Sequence, residues 1–252
     1  MRRLVLALAT IVLVLSAMAG TSAQKQPRVV DLGHPLTEDS PSWTGEKVYV
    51  RTGTGDAARD GIAMGKIATD EHFGTHLDAP AHFSATGWTT EKIPVERLLR
   101  PAVCLNVAAQ AEHDENYRVT VQDVQTWERE HGTIPRDSLV LVATGWDARW
   151  AQPRRYMNER NGVKHFPGLS VAAAKLLVER GVAGIAIDSP SVDYGPSEKY
   201  EVHRTTMPRN IYHVENATGL TKLPPGGFTV IVAPINIAGG SGGPTRIFAL
   251  LN

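Results

Sequence analysis

The chain has 252 residues, of which 42% are hydrophobic and 21% are charged. This length allows one large domain or two small ones with a sizeable core, and the composition argues against disorder and fibrous structures. The 26 basic and 26 acidic side chains cancel, so no net charge attracts nucleic acid or an anionic membrane surface. We therefore expect no nucleic-acid partner.

Residues 1–23 have the pattern of a secretory signal peptide. Two arginines precede an apolar stretch that ends near Leu15, and small residues follow. The apolar stretch is shorter than the roughly 20 residues that span a bilayer, which disfavours an uncleaved anchor. Cleavage after Ala19 and cleavage after Ala23 both fit. We expect an exported protein, periplasmic or secreted, with no stable membrane insertion after cleavage and a folded domain over 24–252.

Eight short runs of strand-forming residues follow one another along the mature chain. Most are bounded by Gly, Pro or Asp, and they predict strands at 28–32, 47–51, 64–69, 102–107, 138–144, 182–187, 228–233 and 246–250. The single cysteine, Cys104, lies in the fourth run. It has no partner for an intrachain disulfide, and we expect it to be a small buried hydrophobe.

Two helices are predicted between these strands. The first covers 120–130 and begins with a capping pair formed by Thr120 and Asp123. The second covers 170–180, with Ser170 as its N-cap, and a glycine follows each helix within two residues. No linker or repeat divides the chain. Many strands and few helices together predict a single α/β domain dominated by its sheet.

Three histidines and one carboxylate lie within eleven residues: His72, His76, Asp78 and His82. On a helix, Asp78 would point about 240° away from His72. A fully extended segment would span about 33 Å, too far to surround one ion. The segment must therefore bend if these side chains are to meet, and Gly74 and Pro80 are the residues that allow it.

This cluster has the donor atoms of a catalytic metal site. Imidazole nitrogen and carboxylate oxygen suit Zn²⁺ or Mn²⁺, and three protein ligands leave positions open for water. We expect His72, His76 and Asp78 to be ligands and His82 to act as a general acid or base near them. Two alternatives are ordinary structural histidines and a structural metal, although structural zinc prefers cysteine and a closed shell.

The pattern His-x-Gly-Thr-His-x-Asp-x-Pro-x-His, from His72 to His82, resembles the signature of the cyclase-type metal-dependent hydrolases. This family includes bacterial kynurenine formamidase and isatin hydrolase. Further segments resemble it in the same order, at 31–32, 41–43, 167–170, 184–193 and 241–246. The resemblance implies a swivelling β/β/α fold with a β-barrel-like core, and a homo-oligomer that is commonly a dimer.

The resemblance also implies the rest of the site. Formamidases of the family complete a two-metal site with a histidine and a glutamate twelve residues later, a spacing that His203 and Glu215 have here. By this resemblance, Asp78 and Glu215 bridge two ions and His203 holds the second. His213 is an alternative ligand for that second ion. One or two ions per chain remain open, as does the choice between zinc and manganese.

Two further residues have weaker assignments. Trp43 matches the aromatic residue that lies against the substrate ring in the family, although an exposed Trp near a turn has the same pattern. Asp188 ends a predicted strand. We expect it either to orient a metal ligand or to cap the strand, and we expect no catalytic role for it.

The implied activity is hydrolysis of the C–N amide bond in a small aromatic formamide or cyclic amide. Metal-bound hydroxide would attack the carbonyl, and His82 would pass the proton to the leaving nitrogen. The residues at 216–220 depart from the formamidase pattern, whereas 127–132 and 145–147 resemble the isatin hydrolase branch. Export also fits poorly with intracellular tryptophan catabolism. Hydrolysis of a lactone or ester, and metal or small-molecule binding without chemistry, are the alternatives.

Overall fold

The computed structural model describes residues 27–251. Within them, fourteen strands and six helices occur. The strands are β1 (Arg28–Asp31), β2 (Val50–Gly55), β3 (Met64–Ala68), β4 (His76–Asp78), β5 (Leu99–Asn106), β6 (Arg118–Val119), β7 (Leu139–Ala143), β8 (Glu159–Arg160), β9 (Val163–Lys164), β10 (Gly168–Leu169), β11 (Gly184–Ile187), β12 (Tyr212–Glu215), β13 (Phe228–Pro234) and β14 (Gly242–Leu251). The helices are α1 (Ala57–Asp60), α2 (Ala108–His113), α3 (Val121–His131), α4 (Pro153–Met157), α5 (Val171–Arg180) and α6 (Glu201–Thr206).

Seven strands close into a barrel. Their order is β14-β13-β5-β7-β11-β12-β4, and β4 pairs back onto β14. The neighbours from β5 to β12 are parallel, whereas the other barrel pairs are antiparallel. Strand β1 adds to β14 outside the ring. The expected single α/β domain with a barrel core is confirmed.

Strand β7 shows how the barrel is buried on both faces. Its five residues are all buried and apolar, as expected for a central strand in a parallel region. Leu141 packs in a core that includes residues of β13 and β14. Its neighbour Val142 packs in a second core together with residues of α3 and α5. Helices α3 and α5 therefore cover the outer face of the parallel strands.

The two predicted helices begin and end as expected. In α3, the Thr120 hydroxyl accepts a hydrogen bond from the Asp123 amide at 3.1 Å, and Asp123 accepts one from the Thr120 amide at 2.7 Å. In α5, the Ser170 hydroxyl accepts from the Ala173 amide. Gly181 ends α5 in the left-handed conformation at a φ of 69°. None of the described helices is long and apolar enough to cross a membrane.

All eight predicted strands are present, but the described residues form fourteen strands, six more than the sequence predicted. Strand β2 begins three residues later and ends four residues later than predicted, and β5 begins three residues earlier. The prediction missed β4, β12, the short strands β6, β8, β9 and β10, and four of the helices. The omission of β4 and β12 has a physical reason, because histidine and acidic residues interrupt their apolar pattern and the acidic residues have low β propensity. Cys104 is buried, as expected.

Candidate metal centre

Strands β4 and β12 and helix α6 carry the candidate ligands. In the antiparallel register of β4 and β12, His76 lies opposite Glu215 and Asp78 lies opposite His213. Alternate residues of a strand share a face, so His76 and Asp78 point the same way. Helix α6 adds His203 to this cluster through its contacts with both carboxylates.

The histidine-rich segment bends where the sequence predicted. Gly74 has a φ of 65°, in the left-handed region that favours glycine, and it precedes β4. After the strand, Pro80 begins a single 3₁₀ turn that ends at His82. This turn brings the His82 ring back onto the ring of His72, with 3.9 Å between their centroids. The two ends of the eleven-residue motif are therefore in contact.

The other four predicted ligands lie around Asp78. Its Oδ1 lies 2.6 Å from His72 Nδ1 and 3.1 Å from His76 Nε2, while its Oδ2 lies 3.4 Å from His203 Nε2. Glu215 faces the same nitrogens, with Oε2 at 3.7 Å from His76 Nε2 and Oε1 at 3.4 Å from His203 Nε2. All except His72 are buried.

The charges at this centre shift the pKa values in opposite directions. Burial opposes protonation of His76 and His203, but the carboxylates beside them raise the pKa of His76 to about 9 and that of His203 to about 10. Burial and the charge of Asp78 raise the pKa of Glu215 to about 7. Despite its burial, Asp78 has a pKa held well below its usual range by His76 and the other imidazoles.

The donor set fits a divalent cation. Among the described residues, Asp78 and Glu215 form ion pairs with histidines only, and with no Lys or Arg. Two buried carboxylates therefore depend on imidazole protons for charge compensation. A divalent cation would supply that compensation and would bind the imidazoles in their neutral form. Imidazole nitrogen with carboxylate oxygen is a ligand set suited to Zn²⁺ or Mn²⁺.

His213 is also part of the cluster. Donor atoms of Asp78, His203, His213 and Glu215 all lie within 4.8 Å of one another. The Nε2 of His213 is 2.8 Å from the Thr206 hydroxyl, and its buried Nδ1 has no hydrogen-bond partner among the described groups. The Nδ1 of His203 donates to Asp193 at 2.7 Å, which leaves Nε2 directed at both carboxylates. This orientation favours His203 as the second-site ligand, and His213 stays an alternative in the same group.

The cyclase family's sequence profile matches residues 30–194, more than half of the chain. The chain belongs to the cyclase family. An isatin hydrolase of Roseibium aggregatum is 29% identical to this cyclase-family chain over 198 residues, covering 75% of each protein. A kynurenine formamidase of Salinibacter ruber is 24% identical over 220 residues, covering 86% of this chain and 95% of that one.

Solved structures agree with this assignment. Isatin hydrolase A from Ralstonia solanacearum superposes with a TM-score of 0.85 and 31% identity, covering 98% of this chain and all of that one. An isatin hydrolase bound to the product analogue thioisatinate superposes with a TM-score of 0.84 and 25% identity. The chain is therefore a cyclase-family protein whose relatives are hydrolases.

A cavity of about 500 Å³ is lined in part by the candidate metal ligands. Its floor includes the candidate ligands, and the other lining residues are Pro41, Trp43, Thr44, Asp70, His82, Phe83, Met157, Pro190, Ser191, Tyr200 and Asn216. The predicted substrate contact, Trp43, is 39% exposed and lies 6.3 Å from the ring of Tyr200. Trp43, Phe83 and Tyr200 form an aromatic wall that suits a flat aromatic ligand.

His82 faces this cavity and is the most accessible histidine of the centre. Its partial burial and the neighbouring imidazoles lower its pKa, against the opposing charge of Asp78. The ring is therefore neutral at neutral pH and can accept a proton, as a general base requires. His82 also belongs to a group of possible ligands with His72 and Asp78, so its role as a proton carrier stays a prediction.

Asp188 does not reach the metal centre. It is fully buried directly after β11 and accepts hydrogen bonds from the Thr144 amide at 2.9 Å and the Gly145 amide at 2.8 Å. Burial raises its pKa to about 7, although these hydrogen bonds oppose the shift. Asp188 therefore ties the end of β11 to the end of β7.

Several residues of the site were not predicted from the sequence. Asp193 orients His203, and Phe83, Tyr200 and Met157 line the cavity. Asp193 lies in the segment 184–193 that resembles the family, so that segment could have indicated it. The cavity residues come from separate loops and helices, and no local pattern brings them together.

Proposed function

We propose that this protein is a metal-dependent hydrolase that cleaves the C–N bond of a small aromatic cyclic amide, as isatin hydrolases do. The observation that carries the proposal is the convergence of four histidines and two carboxylates beneath an aromatic cavity. A surface that only binds a ligand has no need of both a cluster of donor atoms and a separate neutral histidine beside it.

The lining of the cavity favours a neutral substrate. Among the described residues that line it, three are acidic (Asp70, Asp78 and Glu215), and none is Lys or Arg. N-Formylkynurenine carries an α-carboxylate and an α-ammonium group. No Lys or Arg lines the cavity to pair with the carboxylate, and Lys164 lies over the Trp43 ring, with its Nζ 4.5 Å from the ring centroid. Isatin carries no charge. The cavity therefore supports an isatin-like cyclic amide over an amino-acid formamide.

The proposed roles follow from the positions of the side chains. Trp43, Phe83 and Tyr200 hold the aromatic ring of the substrate. His72, His76, Asp78, His203 and Glu215 hold one or two ions of Zn²⁺ or Mn²⁺. When bound, such an ion polarises the carbonyl and lowers the pKa of water. His82 accepts a proton as water adds to the carbonyl and donates it to the nitrogen as the C–N bond breaks.

Parallel assays of three substrates test the proposal. Protein loaded with Zn²⁺ or Mn²⁺ is given isatin, N-formylkynurenine or an aromatic lactone, and kcat/KM is measured for each. We expect isatin to be preferred over N-formylkynurenine by at least about tenfold, because no Lys or Arg lines the cavity to pair with the carboxylate. Preference for the lactone would assign an esterase instead. No turnover of any of the three by metal-loaded protein would refute the proposal as stated.

We further propose that the protein is exported. The supporting pattern, residues 1–23, lies outside the described residues. Expression of the full chain followed by N-terminal sequencing of the protein outside the cytoplasm should give a mature terminus just after Ala19 or Ala23. A full-length chain confined to the cytoplasmic fraction would contradict the proposal.

A further inference from the structure

Ser241 lies within hydrogen-bond distance of the His72 ring, and Glu71 lies within hydrogen-bond distance of Ser241. The Nε2 of His72 lies 3.0 Å from the Ser241 hydroxyl oxygen. That hydroxyl lies 2.5 Å from Oε2 of Glu71, and the Ser241 amide donates to the same carboxylate oxygen at 2.9 Å. The opposite nitrogen, Nδ1, faces Asp78. His72 thus contacts Asp78 through Nδ1, and through Nε2 it contacts Ser241, which in turn contacts Glu71.

The direction of these hydrogen bonds follows from proton counting. A serine hydroxyl has one proton, and an ionised carboxylate can only accept. The Ser241 amide donates to Oε2 of Glu71 at 2.9 Å, and the Ser241 hydroxyl lies 2.5 Å from the same oxygen, so this oxygen is the acceptor for both groups. Ser241 must therefore donate its proton to Glu71 and accept one from His72. The proton of neutral His72 is then held on Nε2, and Nδ1 is the free donor atom for an ion.

Gly242 makes the close approach possible. A β-carbon at this position would lie 2.6 Å from Cε1 of His72 and 2.7 Å from the Leu77 carbonyl oxygen. Any side chain here would therefore displace the His72 ring or separate β14 from β4. Gly242 pairs with Asp78 in the register of these strands. The start of β14 thus packs against the ring of His72, and Ser241, the residue just before the strand, places its hydroxyl within hydrogen-bond distance of Nε2.

We propose that Ser241 and Glu71 are positioning residues that fix the tautomer of His72 and so direct Nδ1 to the metal. This inference rests on the proposed function only in requiring that a divalent ion binds at the centre. Ligand histidines commonly depend on such a hydrogen bond to the second nitrogen, and its loss typically weakens metal binding by about 10- to 100-fold.

The first test is the affinity for Zn²⁺ of Ser241→Ala, measured by competition with a chromophoric chelator. We expect it to be weakened by about 10- to 100-fold relative to the parent protein. Ser138→Ala is the matched control, because its hydroxyl donates to the Pro135 carbonyl at 2.7 Å away from the cavity. The control should keep the parent affinity even if it unfolds at a lower temperature.

The second test reads the tautomer directly. Long-range ¹H–¹⁵N NMR of the Zn²⁺-loaded parent should show the His72 proton on Nε2 and a zinc-bound Nδ1. In Glu71→Gln, a milder change that keeps the side-chain shape, the affinity should fall less than in Ser241→Ala. This second variant keeps the test decisive if Ser241→Ala does not fold.

The outcomes separate this inference from the proposed function. Unchanged affinity in folded Ser241→Ala and Glu71→Gln, or a His72 proton found on Nδ1, would overturn the positioning role while leaving the hydrolase proposal intact. A parent protein that binds no divalent ion would refute the proposed metal centre itself. A lower unfolding temperature without a change in affinity would show that Ser241 is merely structural.

Discussion

His82 differs from His76 and His203 in its accessibility and in the direction of its pKa shift. His76 and His203 are buried beside Asp78 and Glu215, and contact with these carboxylates raises their pKa values. His82 instead lies in the cavity, stacked on His72, and its pKa is lowered. We therefore expect His76 and His203 to hold an ion and His82 to move a proton.

Replacement of His82 by Ala should lower kcat by roughly 10² to 10⁴ while metal content per chain is retained. Asp78→Ala should lose metal and activity together, because this carboxylate contacts three imidazoles. His131→Ala, on α3, is the control and should behave as the parent. Parent-like turnover by His82→Ala would show that another group carries the proton.

His34 supplies a separate prediction on stability. Its ring stacks on Trp150 with 4.0 Å between centroids, and its buried Nε2 has no hydrogen-bond partner among the described groups. Burial lowers its pKa from 6.5 to about 4, although Asp147 opposes the shift. Between these values the unfolded chain binds the additional proton, so stability falls as pH falls from 6.5 towards 4.

Urea unfolding across this pH range tests the sign. His34→Phe keeps the stacking but cannot be protonated, so its free energy of unfolding should fall less steeply with acid than that of the parent. His82 and His213 also have lowered pKa values, so they too make the free energy of unfolding fall as the pH falls. Only the difference between the parent and His34→Phe is therefore diagnostic, and identical slopes would rule out His34 as a contributor.

At the scale of elements, the helices that cover the barrel are separate from the chemistry. The capping box of α3 lies outside the residues that line the cavity. Thr120→Ala removes one capping hydrogen bond and should lower the free energy of unfolding by about 1 kcal/mol. The value of kcat/KM should not change. A large loss of activity in this variant, with the fold intact, would mean that α3 influences the centre.

The elements that the sequence predicted and those that it missed differ in a consistent way. The strands with continuous apolar residues, such as β7, and the helices with capping residues were predicted with small shifts in their ends. Strands β4 and β12 were missed, because ligands occupy alternate positions where apolar side chains would reveal a strand. The same residues that carry the chemistry therefore conceal the local structure.

The candidate ligands could be predicted because three lie in one short motif and the resemblance to the family's formamidases supplied the other two. His72, His76 and Asp78 lie together in the chain, and the twelve-residue spacing identified His203 and Glu215. The positioning residues Ser241 and Glu71 are 170 positions apart. Only closure of the barrel by β4 and β14 brings them together, so no sequence period could have paired them.

At the scale of the whole molecule, the hairpin of β2 and β3 stands out. It pairs with no other described strand. Four of its large apolar side chains are about half exposed: Val50, Ile62, Met64 and Ile67. An isolated two-stranded hairpin is marginally stable in water. We propose that it packs against a second copy of the chain, in line with the dimer expected from the family resemblance.

Sedimentation of the purified protein tests this proposal. The parent should sediment as a dimer, and Ile67→Lys should shift it towards the monomer, because a charge replaces a side chain that is 57% exposed in the single chain. Lys66→Ala, on the same strand, is the control and should leave the dimer intact. A parent protein that is monomeric at micromolar concentration would contradict the proposal.

The central claim is that the histidines and carboxylates form a metal centre that hydrolyses an aromatic cyclic amide. The most direct test measures metal content per chain and isatin hydrolysis in one preparation, before chelation, after chelation and after return of Zn²⁺ or Mn²⁺. We predict one or two bound ions and an activity that disappears with the metal and returns with it. Protein that takes up no ion, or hydrolysis that survives complete metal removal, would contradict the account.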